Sequence, residues 1–262
     1  MSYFDLLRKR KYFDIFLDYF NSDYTKRGEK REGHYGDLIK RHYKIYPGGS
    51  SNPSVNSHHV ASLIDDYTHI HDVYESLSIE FGMGKRGAKL VSFEEFRKSI
   101  QDHSQVVVGL TGYRMDCIAP DAVPQSLLND LKQLFDELEV VPPGKPRKLV
   151  AVSKTLHFLL PGLVMPIDGA NVLRFLRKGD VPEKAERQFD LFKEVFGKYI
   201  ELATQLGLNP SNGGGNWWNI SVPKRIDNAI AGFWAIFDSG NIERMICGHI
   251  DTLLSYLNIP LK

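Results

Sequence analysis

The sequence predicts an all-α protein built mainly as one helical bundle-like domain, and three observations carry that expectation. Apolar residues recur at three- and four-residue steps through most of the chain, which is the spacing of a helix face turned to a core. Proline and glycine clusters such as Pro161-Gly162 fall between those stripes and punctuate them. The short apolar run Val106 to Leu110, which would suit a strand or a buried helix start, has nothing nearby to pair with, so a helix is expected there as well.

Composition sets the outer bounds. A chain of 262 residues with 42% hydrophobic content can bury one sizeable core or two small ones, and nothing in it suggests disorder or fibre. The formal net charge is +1, which excludes a global basic field of the kind a strong nonspecific DNA binder uses. Nucleic-acid binding would need local patches. Cys117 and Cys247 are far apart and lack metal-ligand spacing, which points to a reducing compartment rather than a disulfide scaffold. No apolar run is long enough to span a membrane, and the amino terminus is charged too early for a signal peptide, so a cytoplasmic protein is expected.

In chain order, Phe4 to Phe20 reads as an amphipathic helix, with Phe4, Leu7, Phe13, Phe16, Leu17 and Phe20 opposite the cluster Arg8 to Lys11. Lys26 to Arg31 and Lys40-Arg41 come next, with tyrosines interleaved, a mixture that suits single-stranded or flipped nucleic acid and equally a solvated charged face. Pro47 to Ser57 has loop composition, which marks residues 1–50 as a basic arm or small subdomain ahead of a main helical domain at 58–262. His58 to Phe81 reads as one long helix. Its Asp65, His69 and Asp72 share a face, and His71-Asp72 resembles the HD pair of metal-dependent phosphohydrolases, but no further ligand falls at a persuasive position and no metal is expected.

Gly82 to Gly87 fits G-x-G-x-x-G but comes after a helix, so a turn between helices is the better reading than a dinucleotide loop. Ser92 with Glu95 forms the pattern of a capping box, opening a helix that carries Phe93, Phe96 and Ile100. Leu127 to Leu138 and Glu183 to Leu206 are clear amphipathic helices. Between Asn209 and Asn219, three glycines adjoin Trp217 and Trp218, which suits either a ligand-facing hinge or indoles docked in the core. Pro223 opens a helix with Ile226, Ile230, Phe233, Trp234 and Phe237, and Ile242 to Leu257 reads as a last one.

The polar residues of most interest lie between Pro142 and Gly179. Leu149, Val152, Leu156, Leu159 and Leu160 make a buried helix face that stops at Pro161-Gly162. A short apolar link then delivers Asp168 to the start of a second helical run, where its carboxylate can cap free backbone N–H groups. Lys154 and His157 lie one turn apart on the largely apolar first helix. Groups of that kind need partners, and Asp168 is the next carboxylate along the chain. A structural pair and a catalytic pair both satisfy that need.

The segments Gly82 to Ile100 and Lys148 to Gly169 resemble the signature segments of a family of uncharacterised microbial proteins. More remotely, Pro143-Gly144-Lys145-Pro146-Arg147-Lys148, with Asp168 and Arg174 downstream, is similar to the hairpin of helix-hairpin-helix DNA glycosylases. The second resemblance implies a turn that grips a DNA phosphate, here through Lys145 and Arg147 with Arg174 after them. It also implies a lysine nucleophile at Lys148 and an activating aspartate at Asp168. Pro146 removes a backbone N–H that such a turn would aim at phosphate. The expectation is therefore a DNA- or RNA-binding protein of glycosylase-like architecture with little or no lyase activity, in which Lys148 or Lys154, His157 and Asp168 form the site. The alternative is a noncatalytic structural or interaction module in which those residues are a polar cluster. No motif calls for a cofactor, and none speaks to an oligomeric state.

Overall fold

A computed structural model describes residues 3–28, 53–80, 83, 89–143, 148–177, 185–210 and 221–238. Every regular element among them is helical. The chain opens with α1 (Tyr3–Leu7) and α2 (Arg10–Gly28), then α3 (Pro53–Asp65) and α4 (Tyr67–Glu75), which runs into a π turn at Ser76–Glu80. Next come α5 (Phe93–Asp102), α6 (Ser104–Leu110), a 3-10 turn at Met115–Cys117 and α7 (Gln125–Glu137). Then α8 (Lys148–Leu159) leads to a second π turn at Gly169–Leu173, continued by the short α9 (Arg174–Arg177). The long α10 (Ala185–Gln205) and α11 (Val222–Asp238) complete the described chain.

The capping box read from Ser92 and Glu95 is present. Glu95 accepts from the Ser92 backbone N–H at 2.9 Å, and Ser92 Oγ accepts from the Glu95 N–H at 3.3 Å. Val106 to Leu110 is helical, as its lack of a strand partner implied.

Three boundaries differ from the sequence reading. The helix expected from Phe4 to Phe20 breaks at Arg8-Lys9, where the Lys9 N–H turns to the Leu6 carbonyl at 3.0 Å and a new helix begins at Arg10; Arg8 pairs there with Asp5 and Glu201. Residues 53–57, expected in a loop, already belong to α3, with Pro53 at the first helical position where a missing N–H costs nothing. The single helix expected over His58 to Phe81 is interrupted at Asp66. That residue adopts an extended conformation, and its carboxylate accepts from the N–H groups of Thr68 at 2.9 Å and His69 at 3.3 Å. The apolar stripe continues across the break, which is why periodicity alone did not show it. The turn at Gly82–Gly87 and the segments around Trp217, Trp218 and Ile242 to Leu257 lie outside the described residues, apart from Met83.

The core is continuous from Phe4 to Ile236. Its most extensive helix pair is α2 against α11, so the first helices share the core of the last described one. Gly232 makes that approach possible: a side-chain carbon there would strike the Phe16 carbonyl oxygen and lie 2.9 Å from the Phe16 carbonyl carbon. The helix α8 is enclosed on almost every side. Ten of its twelve residues are buried, and α7, α10 and the first π turn lie against it. No helix among the described residues is long and apolar enough to cross a membrane.

Candidate functional site

Two polar residues of α8 strap the link after it back onto the helix and so place Asp168. Ser153 Oγ accepts from the Ile167 N–H at 3.1 Å, and His157 Nδ1 donates to the Val164 carbonyl at 2.7 Å. The link Leu160 to Ile167 is buried along nearly all its length and returns beside the helix it left. Asp168 comes directly after it, half-buried and extended, at the mouth of the π turn.

Asp168 is an N-cap. One carboxylate oxygen accepts from the backbone N–H groups of Asn171 at 2.7 Å and Val172 at 2.9 Å, and the other accepts from Asn171 Nδ2 at 2.8 Å. Its carbonyl accepts from the Leu173 N–H at 3.0 Å, five residues on, which is the widened ring of a π turn. Such turns are uncommon and recur at functional positions. The turn is held from outside by Trp234, whose Nε1 donates to the Asn171 carbonyl at 3.0 Å.

Three elements bring charge to this place, and a fourth brings a buried phenol. Lys154 of α8 is buried, and desolvation lowers its pKa, while the carboxylates of Asp168 and Asp227 act against that by favouring its ammonium form. Asp227, on the second turn of α11, is paired with Lys224 of the same helix. Burial raises the Asp227 pKa, Lys224 offsets part of the rise, and Asp168 adds to it. Tyr199 of α10 is fully buried; its pKa rises well above the ordinary phenol value, first through burial and then through Asp227 and Asp168. Lys154, Asp168, Tyr199, Lys224 and Asp227 are therefore one electrostatic unit, assembled where α8, the π turn, α10 and α11 meet.

The residues singled out by sequence divide clearly. Lys154 and Asp168 come together. His157, 1% exposed, is adjacent but serves the Val164 carbonyl, and its pKa is pushed down to about 3 by burial, so it is a neutral strap rather than a partner of Asp168. Lys148 lies elsewhere. Its ammonium donates to the Asp136 carbonyl at the end of α7, and the carboxylates that favour its charge are Asp136, Glu139 and Glu137 rather than Asp168. Arg174 makes a bidentate pair with Asp238 at 2.8 and 2.9 Å and stacks on Trp234, 3.6 Å from the ring centre. Lys145 and Arg147 lie outside the described residues.

Sequence reasoning missed Tyr199, Lys224 and Asp227, which join the centre from residues 199 to 227 and carry no local motif. The metal reading also regroups. His71, Asp72 and Glu75, rather than Asp65, His69 and Asp72, bring one ligand atom each within 4.8 Å of one another. Phe93 lies edge-on to the His71 ring at 5.0 Å, and Tyr67 stacks on it at 6.1 Å. No family model, no curated protein and no solved structure matches this chain.

Proposed function

We propose that this chain is a nucleic-acid-binding protein of glycosylase-like architecture whose centre is Lys154 with Asp168. The observation that carries the reading is the placement of a half-buried carboxylate, at the mouth of a π turn, in the field of a lysine that burial biases toward the neutral amine. An amine must be neutral to act as a nucleophile on a sugar carbon, and a carboxylate beside it stabilises positive charge that develops there. Of the two candidate lysines, Lys154 meets both conditions. Lys148 meets the first only, and it is engaged with the end of α7.

A second reading, the noncatalytic structural or interaction module, draws on the closure of the same residues. Lys154 is only 8% exposed, His157 is bonded inside the fold, and Arg174 is tied to Asp238. Arg8 and Arg10 of the basic arm are also engaged, Arg8 with Glu201 and Arg10 with Asp14 and the Leu206 carbonyl. We favour the first reading because several ionised groups gathered in one interior place cost more than apolar residues of the same size would, and such clusters concentrate at functional sites.

The test is a fluorescence-anisotropy titration of labelled oligonucleotides, single-stranded and duplex, with and without an abasic site. Binding that weakens as salt rises, with a log–log slope of about −0.9 per phosphate contacted on a duplex, is the expected result. Preference for the abasic strand, reduced by Asp168→Asn, assigns the binding to this centre. Absence of binding at low salt by every oligonucleotide leaves the structural module.

A further inference from the structure

Helix α4 gathers metal-ligand chemistry on one turn. Its residues Tyr67, His71 and Glu75 follow one another at four-residue steps and so form one stripe, with Asp72 alongside, three residues before Glu75. One ring nitrogen of His71 and one carboxylate oxygen from each of Asp72 and Glu75 all lie within 4.8 Å of one another. Tyr67 is 50% exposed, and His71 and Glu75 are half-buried, so the stripe is open to solvent, while Asp72 is buried. The imidazole is held from two directions. Tyr67 stacks on it at 6.1 Å with the ring planes 13° apart, and Phe93 of α5 meets it edge-on at 5.0 Å. Tyr67 is itself held by the guanidinium of Arg97, 5.2 Å from its ring centre.

We infer that His71, Asp72 and Glu75 bind one divalent transition-metal ion, Zn2+ above all. Bonds of about 2.1 Å from each donor put neighbouring ligands about 3 to 4 Å apart, and the three atoms reach that arrangement by a closure of about 1 Å, which rotation of the half-buried Glu75 side chain supplies. Two carboxylates at such spacing repel each other, and a dication between them turns the repulsion into attraction. The donor set selects the ion. An imidazole suits Zn2+, whereas Mg2+ and Ca2+ take oxygen ligands. The rings of Tyr67 and Phe93 hold the His71 imidazole in one orientation, as the outer contacts of metal-bound histidines do generally. Three protein ligands leave a position open on the solvent side, the arrangement in which zinc holds a water or a ligand oxygen. The site stands on its own geometry and does not depend on the nucleic-acid reading of Lys154 and Asp168.

The full chain, stripped with a chelator and then freed of it, is titrated with ZnCl2 by calorimetry beside Glu75→Gln and His71→Gln, with circular dichroism to establish that each variant is folded. Wild type is expected to bind one ion that both variants bind at least about tenfold more weakly, and MgCl2 is not expected to compete for it. The wild-type protein alone gives a second readout by NMR. Under substoichiometric CoCl2, the ring resonances of His71, assigned by their loss in His71→Gln, should be the first among the nine histidines to broaden or shift. Zinc bound equally by wild type and both variants would overturn the inference, and so would a cobalt effect that begins at another histidine, since the ion would then be held adventitiously elsewhere. A wild type that takes up no zinc at micromolar concentration would overturn it as well.

Discussion

Gly232→Ala is expected to destabilise the protein by about 3 kcal/mol or more, although it places a better helix former in the middle of a helix. Taken alone, exchanging glycine for alanine in a helix interior is worth about 1 kcal/mol in the stabilising direction. Here the added carbon would land on the Phe16 carbonyl oxygen, 2.9 Å from the Phe16 carbonyl carbon and 3.2 Å from Phe20 Cβ. Two of those three atoms are backbone in the interior of the 19-residue α2, which cannot move aside as a flexible side chain would. The helices must separate instead. Their separation loosens the most extensive helix pair of the fold and the packing of Phe16 on Phe233, whose rings meet edge to face at 5.3 Å. Urea unfolding of wild type and variant measures the loss. A variant as stable as wild type would show that α2 and α11 are not in close backbone contact at Gly232.

The second large effect is on acid stability, through His157. Its folded-state pKa is lowered from 6.5 to about 3 by burial, so between those values the unfolded chain binds the proton and the folded protein does not. The contribution is therefore fully present above pH 6.5 and is lost as pH falls toward 3. At 1.36 kcal/mol per pKa unit the total is on the order of 5 kcal/mol, with a slope of about 1.4 kcal/mol per pH unit once the unfolded histidine is charged. Protonation also places a cation where Lys224 already opposes one. In His157→Gln, which does not titrate, the acid-side decline is expected to be shallower by that slope, whatever the variant loses at neutral pH from the Val164 contact. Unfolding free energies between pH 4 and 7 give the comparison. Parallel profiles for the two proteins would mean that His157 is accessible to protons in the folded state.

Local signals in the sequence were sufficient where the physics is local. A capping box is contained within four residues, and Ser92 with Glu95 was legible for that reason. Pro161-Gly162 ends α8 because neither residue propagates a helix, and Asp168 caps the π turn because it is a short carboxylate just ahead of free N–H groups. Asp66 carries the same chemistry but was hidden, since the stripe from Val60 to Leu77 passes across it unbroken. The centre itself was only half legible. Lys154 and Asp168 are joined by one hairpin, so their meeting could be anticipated, whereas Tyr199, Lys224 and Asp227 arrive through the docking of α10 and α11 on α8. Which of Lys148 and Lys154 belongs to the centre was likewise a tertiary matter. The end of α7, not any feature of the hairpin, takes Lys148 away.

That division of labour makes the ionisation of Lys154 the property on which the functional reading depends. Its ε-methylene resonance in the intact protein, assigned by its loss in Lys154→Arg, reports the proton directly when tracked by NMR across the alkaline range. The expected midpoint lies below the ordinary lysine value of 10.5, because burial outweighs the two carboxylates. In Asp168→Asn it should move lower still, since a charge that favours the ammonium form has been removed. A midpoint at the ordinary value, unmoved by Asp168→Asn, would contradict the claim that the two residues form one buried centre.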